Sequence, residues 1–351
     1  MSAQLPACQL LERYYGQAAQ LWPIAPPADP WLLANSTAMV SGDAALRGQW
    51  EASDKAAASP FDAPFIQQAG QVVLFWPKAH QLGIWWLEWL CRVLPENTPM
   101  DVVGEHQGGI KRVPKILSEL GMRCDKLDNA RRCSLFATRT VAIDTPDSGW
   151  QHFEALGMTL VSHPGVFGHG KVDEGTQLLL QVVETALDAR PRKALKVLDM
   201  GCGDGIISAW LAARGHQVTA VDVSAFAVEA CRRTLAANQL SGQVLASDVY
   251  TALEGQHFDL IVSNPPFHQE RDVSYGPSAR LIEEAPSHLT DKGQLMLVAN
   301  TFLPYPSLLE RTFGSFETLA DNRRFRVYHA QLEAQPQESR KHGRQASSKR
   351  R

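Results

Sequence analysis

From residue 196 onward, short apolar runs alternate with longer stretches whose apolar side chains recur at helical spacing. The runs are KVLDM (196–200), QVTAVDV (217–223), QVLASDV (243–249), FDLIVSN (258–264) and GQLMLVAN (293–300). Each has the length and apolar content of a strand buried on both faces. Between the first three lie GIISAWLAARG (205–215) and SAFAVEACRRTLAANQL (224–240), which read as helices. Gly215 is placed to close the first, and Ser224 to cap the second. This alternation predicts an α/β fold of the doubly wound kind, a parallel sheet with helices on both faces. Ligands of such sheets bind beyond the carboxyl ends of the strands.

The first half carries a distant echo of this pattern, about 190 residues earlier. VVLFWPKA (72–79) answers LIVSNPPF (260–267), and MDVVGE (100–105) answers LMLVAN (295–300). VPKILSELG (113–121) matches YPSLLERTFG (305–314), and LDNARRCSLFATR (127–139) matches LADNRRFRVYHAQ (319–331). Similarity in fixed order implies duplication of one α/β unit. Turn residues cluster around 145–150, so the copies are expected to span 1–150 and 151–335, with a tail at 336–351. Only the second copy has a glycine-rich loop upstream; before Val72 stands DKAAASPFDAPFIQQAG (54–70). The first copy is therefore read as degenerate, serving stability or recognition.

In the second copy the polar residues gather at strand ends. DMGCGDG (199–205) follows the first strand, and its glycines, Gly201, Gly203 and Gly205, allow a sharp turn and close backbone approach. Free amides are expected to face outward at the start of the next helix. Asp222 ends the second strand, 21 residues past Gly201, at the distance where a carboxylate accepts from ribose hydroxyls. Asp248 ends the third strand, and Asn264 ends the fourth. Pro265, Pro266 and Phe267 follow at once. Two prolines fix φ and remove donors, so the chain leaves the sheet in a stiff corner carrying an amide, free carbonyls and an aromatic ring.

Composition narrows the setting. At 351 residues, 44% hydrophobic and 20% charged, the chain reads as globular and cytoplasmic, with no export signal. LGIWWLEWLC (82–91) is too short to span a bilayer. Six scattered cysteines with no C-x-x-C pair argue against a structural metal or a disulfide framework. The net charge is −3, yet RKHGRQASSKRR (340–351) holds six basic residues and no acid. That tail suits either a solvated terminus or an arm for a polyanion.

The evenly spaced glycines preceded by Asp199 resemble the first motif of class I S-adenosylmethionine-dependent methyltransferases, rather than the G-x-G-x-x-G of nicotinamide enzymes. The resemblance implies that S-adenosylmethionine lies among Asp199, Gly201, Cys202, Gly203, Gly205, Asp222, Val223, Asp248, Val249 and Asn264. Asp199 would face its ammonium, Asp222 its ribose and Asp248 its adenine. Asn-Pro-Pro-Phe resembles the fourth motif of methyltransferases acting on nitrogens conjugated to a π system. Such nitrogens are poor nucleophiles. The Asn264 oxygen and the Pro265 carbonyl would grip the N–H groups, and Phe267 would stack on the planar group. Cys202 and Cys231 are expected to pack rather than to react.

PGVFGHGKVDEGTQLLL (164–180), SNPPFH and ANTFLPYPSLLERTFG together resemble the bacterial small-subunit ribosomal RNA guanine-N2 methyltransferase family, strongly from 164 to 330. This implies two tandem methyltransferase-like domains, the N-terminal one degenerate, and methylation of guanine 1207 of 16S rRNA in the small ribosomal subunit. A monomer without metal is expected, with phosphate contacts from Lys111, Arg112, Arg131, Arg132, Arg323, Arg324 and Arg326. Asp173 and Thr176 fall where the family's cofactor-side lid lies. A large-subunit guanine-N2 enzyme, a protein glutamine methyltransferase and a non-enzymatic RNA-binding assembly factor are the alternatives.

Overall fold

The apolar runs form strands and the periodic stretches form helices. The computed structural model describes residues 2–16, 20–63, 70–144, 147, 149–189, 193–265 and 276–333. The first copy comprises α1 (Pro6–Tyr15), β1 (Leu21–Ile24), α2 (Pro30–Ala34), β2 (Ala38–Val40), α3 (Ala44–Glu51), β3 (Ala56–Ala58), β4 (Gln71–Phe75), α4 (His80–Val93), β5 (Pro99–Glu105), α5 (Val113–Glu119), β6 (Asp125–Ala130) and β7 (Cys133–Arg139). A hairpin of β8 (Gln151–Ala155) and β9 (Met158–Ser162) leads into the second copy. There follow α6 (Glu174–Asp188), β10 (Lys196–Met200), α7 (Ile206–Ala213), β11 (Gln217–Asp222), α8 (Ala225–Ala237), β12 (Gln243–Ala246) and β13 (Phe258–Ser263). The chain then forms α9 (Pro277–Glu284), β14 (Leu289–Asn300), α10 (Tyr305–Phe313), β15 (Glu317–Asp321) and β16 (Phe325–Gln331).

Among the described residues the two copies have one topology. The sheets run β3-β2-β1-β4-β5-β7-β6 and β12-β11-β10-β13-β14-β16-β15, position for position the same. Six strands of each run the same way, and one, β7 or β16, lies antiparallel between its two neighbours. Val197, Leu198, Ile261 and Val262 are wholly buried, as central strands covered on both faces require.

Two local expectations need correction. Ser224 occupies the N-cap position of α8, but its hydroxyl makes no capping bond. The first copy's counterpart of the glycine loop is not 54–70. Strand order equates β10 with β1, so the equivalent loop is APPADP (25–30). Three prolines there fix φ and withhold amides. Asp29 is spent on the chain itself, accepting from the backbone N–H groups of Gln4 (2.9 Å), Leu5 (2.8 Å) and Trp31 (2.9 Å). The degeneracy of the first copy thus stands, on a different segment.

The copies lock together through matching loops. Ala44 N donates to Val223 O (2.8 Å), and Ala225 N donates to Gly42 O (2.7 Å), across an antiparallel bridge between Asp43 and Ser224. Beside this bridge Phe226 of the second copy enters the first copy's aromatic core, with ring centroids 5.2 Å from Trp85 and 5.7 Å from Trp86. The His163 ring stacks on it at 4.7 Å and 9°. Burial drives the His163 imidazole down to about 3, so it stays neutral and packs as an aromatic. A Cβ on Gly42 or Gly165 would stand 2.7 or 2.5 Å from the Phe226 ring, so both positions must lack one.

Replacing Phe226 with Ala leaves a void shared by both copies. We expect a loss of ~3–5 kcal/mol in urea unfolding. A loss below about 1 kcal/mol would show that the ring does not hold the copies together.

Candidate active site at the strand ends

Parallel register brings the second copy's polar residues to one edge. Asp199 lies opposite Ala220 of β11 and Val262 of β13, so Asp222 and Asn264 follow just beyond it on the flanking strands. The loop at 201–205 turns between them. Gly201 and Gly203 adopt φ of +78° and +55°, and a Cβ at either would meet nothing within 4 Å, leaving open space at this edge. Gly205 is different: a Cβ there would stand 2.8 Å from the Cys231 Cα, so its absence lets α7 and α8 approach.

Four of the amides in this loop are turned inward rather than outward. Gly201 N and Cys202 N both donate to Val221 O, Gly203 N donates to Asp222 Oδ2 (3.1 Å), and Gly205 N donates to Cys202 O. A loop with four of its amides already bonded within the chain offers little to a pyrophosphate, which such loops otherwise hold by amides. Its charge points the other way. Burial pushes the Asp199 carboxyl up to about 7 and the Asp204 carboxyl up to about 6, and it raises Asp222 as well. Asp199 Oδ2 accepts from Ser208 Oγ (2.6 Å), while Oδ1 is buried with no partner among the described residues. Three crowded acids and an orphaned acceptor suit a cation bearing N–H donors.

Asn264 is held from outside its own strand. Its Nδ2 donates to Asp173 Oδ2 and to Thr176 Oγ1 (2.8 Å), both at the start of α6. Its Oδ1 is buried and has no partner among the described residues. Pro265 is buried beside it. Pro266 and Phe267 lie outside the described residues. From sequence Asp173 and Thr176 are placed at a cofactor-side lid rather than beside Asn264, and Asp204 is not singled out. DEGT reads as a helix cap, and Asp173 does cap α6, but nothing local marks its bond to a residue 91 positions away.

The remaining sequence-derived residues divide. Val223 is 38% exposed at the same edge, and its carbonyl takes the bond from Ala44. Val249 is buried with φ +53°. Asp248 does not stand free for a ligand: its Oδ2 pairs with Arg280 Nη1 at 2.9 Å, and Arg280 also reaches its carbonyl. Cys202 and Cys231 are buried, and the hydrogen bond between them with burial raises the Cys202 thiol, which suits packing. Arg323 and Arg324 sit in the turn between β15 and β16, at the end of β14 nearest the site. Arg324 pairs with Glu174 (2.8 Å), next to Asp173. Arg326 pairs with Asp321 (2.7 Å). Arg131 and Arg132 occupy the equivalent exposed turn of the first copy, and Lys111 and Arg112 are also exposed. Phe302, 78% exposed, lies two residues past β14.

Family models match both halves: Methyltransferase small domain N-terminal over residues 33–148, and Methyltransferase small domain over 157–329. A Chromohalobacter salexigens protein named ribosomal RNA small subunit methyltransferase C is 53% identical over 332 residues, covering 94% of this chain and 98% of that one. The chain belongs to the ribosomal RNA small subunit methyltransferase C family. A Pectobacterium atrosepticum member of that family is 40% identical over 279 residues, covering 78% of each chain. The solved T. thermophilus 16S rRNA N2 G1207 methyltransferase, in complex with AdoMet and guanosine, superposes with a TM-score of 0.81. It is 28% identical and covers 94% of this chain and 92% of its own. The family thus shares the tandem arrangement of two Rossmann-like methyltransferase domains.

The raised Asp199 carboxyl sets a pH dependence. Its folded value of about 7 exceeds the ordinary carboxylate value, so the stability it contributes is full below about 4 and lost as pH rises through 7. We expect Asp199→Asn to be more stable than the parent at pH 8, by on the order of 2–4 kcal/mol, and nearly equal at pH 4. Equal unfolding curves at both pH values would contradict the assigned burial.

Proposed function

We propose that this chain transfers a methyl group from S-adenosylmethionine to the exocyclic N2 of a guanine in 16S rRNA of the small ribosomal subunit. Relatives bearing that activity in their names support the reading along nearly the whole chain. The observation that carries it is the buried Asn264 Oδ1, without a partner among the described residues, on the same edge as the three acids. The target corresponds to G1207 of the T. thermophilus relative.

The site residues fit the cofactor. Asp199 would take its ammonium with the orphaned Oδ1, and Asp222 its ribose; Gly201, Gly203 and Gly205 shape the turn. Cys202 lines the turn, Val223 and Val249 give apolar surface, and Asp248, tied to Arg280, borders the adenine end. Bound S-adenosylmethionine supplies a methyl on a sulfonium, electrophilic enough to need no covalent enzyme nucleophile. Asn264 Oδ1 and the Pro265 carbonyl accept the two N–H groups of guanine N2 and aim its lone pair, in a corner kept stiff by Pro265 and Pro266. Phe267, outside the described residues, would stack on the base. Turning a guanine out of its helix costs a few kcal/mol. Phosphate contacts at the arginine turns, Arg131 with Arg132 and Arg323 with Arg324, offset part of that.

The division of labour we infer is a first domain at 1–150 for support and RNA recognition, a catalytic domain at 151–335, and a basic tail at 336–351 that lies outside the described residues. The protein acts in the cytoplasm as a monomer. Among the described residues no helix is long and apolar enough to cross a membrane.

The test is incubation of the full chain with labelled S-adenosylmethionine and, separately, small subunits, large subunits, naked 16S rRNA and total protein. N2-methylguanine in small-subunit RNA is the expected product; label confined to protein or to large subunits would sink the reading. Asn264→Ala should lower kcat at least ~10²-fold with cofactor affinity nearly unchanged. Cofactor affinity should also rise between pH 6 and 8, as Asp199 ionises beside a cation, and Asp199→Asn should flatten that rise.

A further inference from the structure

Asn264 can serve as an acceptor only if its amide is turned the right way round. A primary amide has two orientations that differ little in shape, and the wrong one would present two N–H donors to an amine that is itself a donor. The Asn264 side chain does not choose between them alone. Asp173 lies at the start of α6, and a carboxylate has no hydrogen to give. It already accepts from Gly175 N and Thr176 N (3.1 Å each), where the helix terminus favours negative charge. Thr176 Oγ1 gives its single hydrogen to Asp173 Oδ2 (3.3 Å), so toward Asn264 it can only accept. Two acceptors therefore face one side of the amide, and only Nδ2 can lie there. The reverse rotamer would set Oδ1 against a carboxylate oxygen. Gly175 keeps this arrangement open, since a Cβ there would crowd Asp173 Oδ2 at 3.2 Å.

We infer that Asp173 and Thr176 are positioning residues for methyl transfer, locking the Asn264 amide so that its oxygen, and not its nitrogen, meets the amine of the target base. This rests on the reading of Asn264 as the acceptor for guanine N2. Asp173 has a second effect. An amide nitrogen donating to a charged acceptor polarises its own carbonyl, so Oδ1 becomes a stronger acceptor. The relation resembles that of the aspartate to the histidine in a serine-hydrolase triad, where a buried carboxylate fixes which atom faces the substrate. The cap of α6 and the alignment of the substrate amine thus share one carboxylate, and the helix start becomes part of the active site.

The experiment uses the full chain, small subunits lacking the methyl group, and S-adenosylmethionine, with kcat, KM for subunits, cofactor Kd and Tm all measured. Asp173→Asn retains a good helix cap but can donate, so the Asn264 amide is free to turn over. We expect Tm and cofactor Kd to hold while kcat falls roughly 10²-fold. Asn264→Asp alone opposes two carboxylates and should be equally poor. Joining Asp173→Asn with Asn264→Asp rebuilds a donor behind an acceptor, with an oxygen facing the substrate; we expect at least ~10-fold recovery of kcat over either single variant. Thr176→Val should lower kcat, and Thr176→Ser should restore it.

A kcat for Asp173→Asn equal to the parent's, or a double variant no better than the singles, would overturn the inference and leave Asp173 a helix cap only. Full activity of Asn264→Ala, or parent enzyme that puts no methyl on guanine N2, would instead overturn the functional reading on which it stands.

Discussion

The parallel register of β10, β11 and β13 is the constraint on which the catalytic end depends. Hydrogen bonding of the three strands fixes Asp199 against Ala220 and Val262, and therefore fixes how far Asp222 and Asn264 reach past the sheet. Slippage of one residue would turn each side chain to the opposite face. The buried apolar sides of these strands hold the register, so packing energy far from the edge secures the geometry at it. The acids at the edge raise the cost of that arrangement in the free protein and lower it when a cation sits among them.

Most of the fold was legible. Apolar runs, helical spacing and the duplicated order of elements gave the sheet, and DMGCGDG and Asn264 fall at strand ends that the register brings to one edge. What escaped the sequence depends on long-range partners. The loop's amides are taken by Val221 and Asp222, which no local pattern reveals. Asp248 is tied to Arg280, 32 positions on. Asp173 carries a legible cap signal, which conceals that the same carboxylate reaches Asn264. The first copy's missing loop was sought next to its clearest strand, β4, because β1 is only four residues long and contains Pro23.

The two copies have diverged at equivalent places for opposite purposes. Where the second has evenly spaced glycines and open space, the first has prolines and an aspartate tethering its own N-terminal segment. A first copy filled in this way cannot duplicate the site. What it supplies is an apolar receptacle for Phe226 and a backbone partner for the loop that follows Asp222. The residues nearest the ribose end of the proposed site are therefore anchored by the other half of the molecule.

That anchoring has symmetry. The loops after β2 and β11 hold the same place in their respective sheets, and each gives one N–H to the other's carbonyl. Two copies meeting through like surfaces obey the geometry of a self-complementary pair about a two-fold axis. An insertion in either loop would displace both bonds at once, so neither can lengthen unless its counterpart accommodates it. Homologous chains should consequently register paired change at 42–44 and 223–225, a covariation written by contact geometry into two stretches that bear no catalytic group.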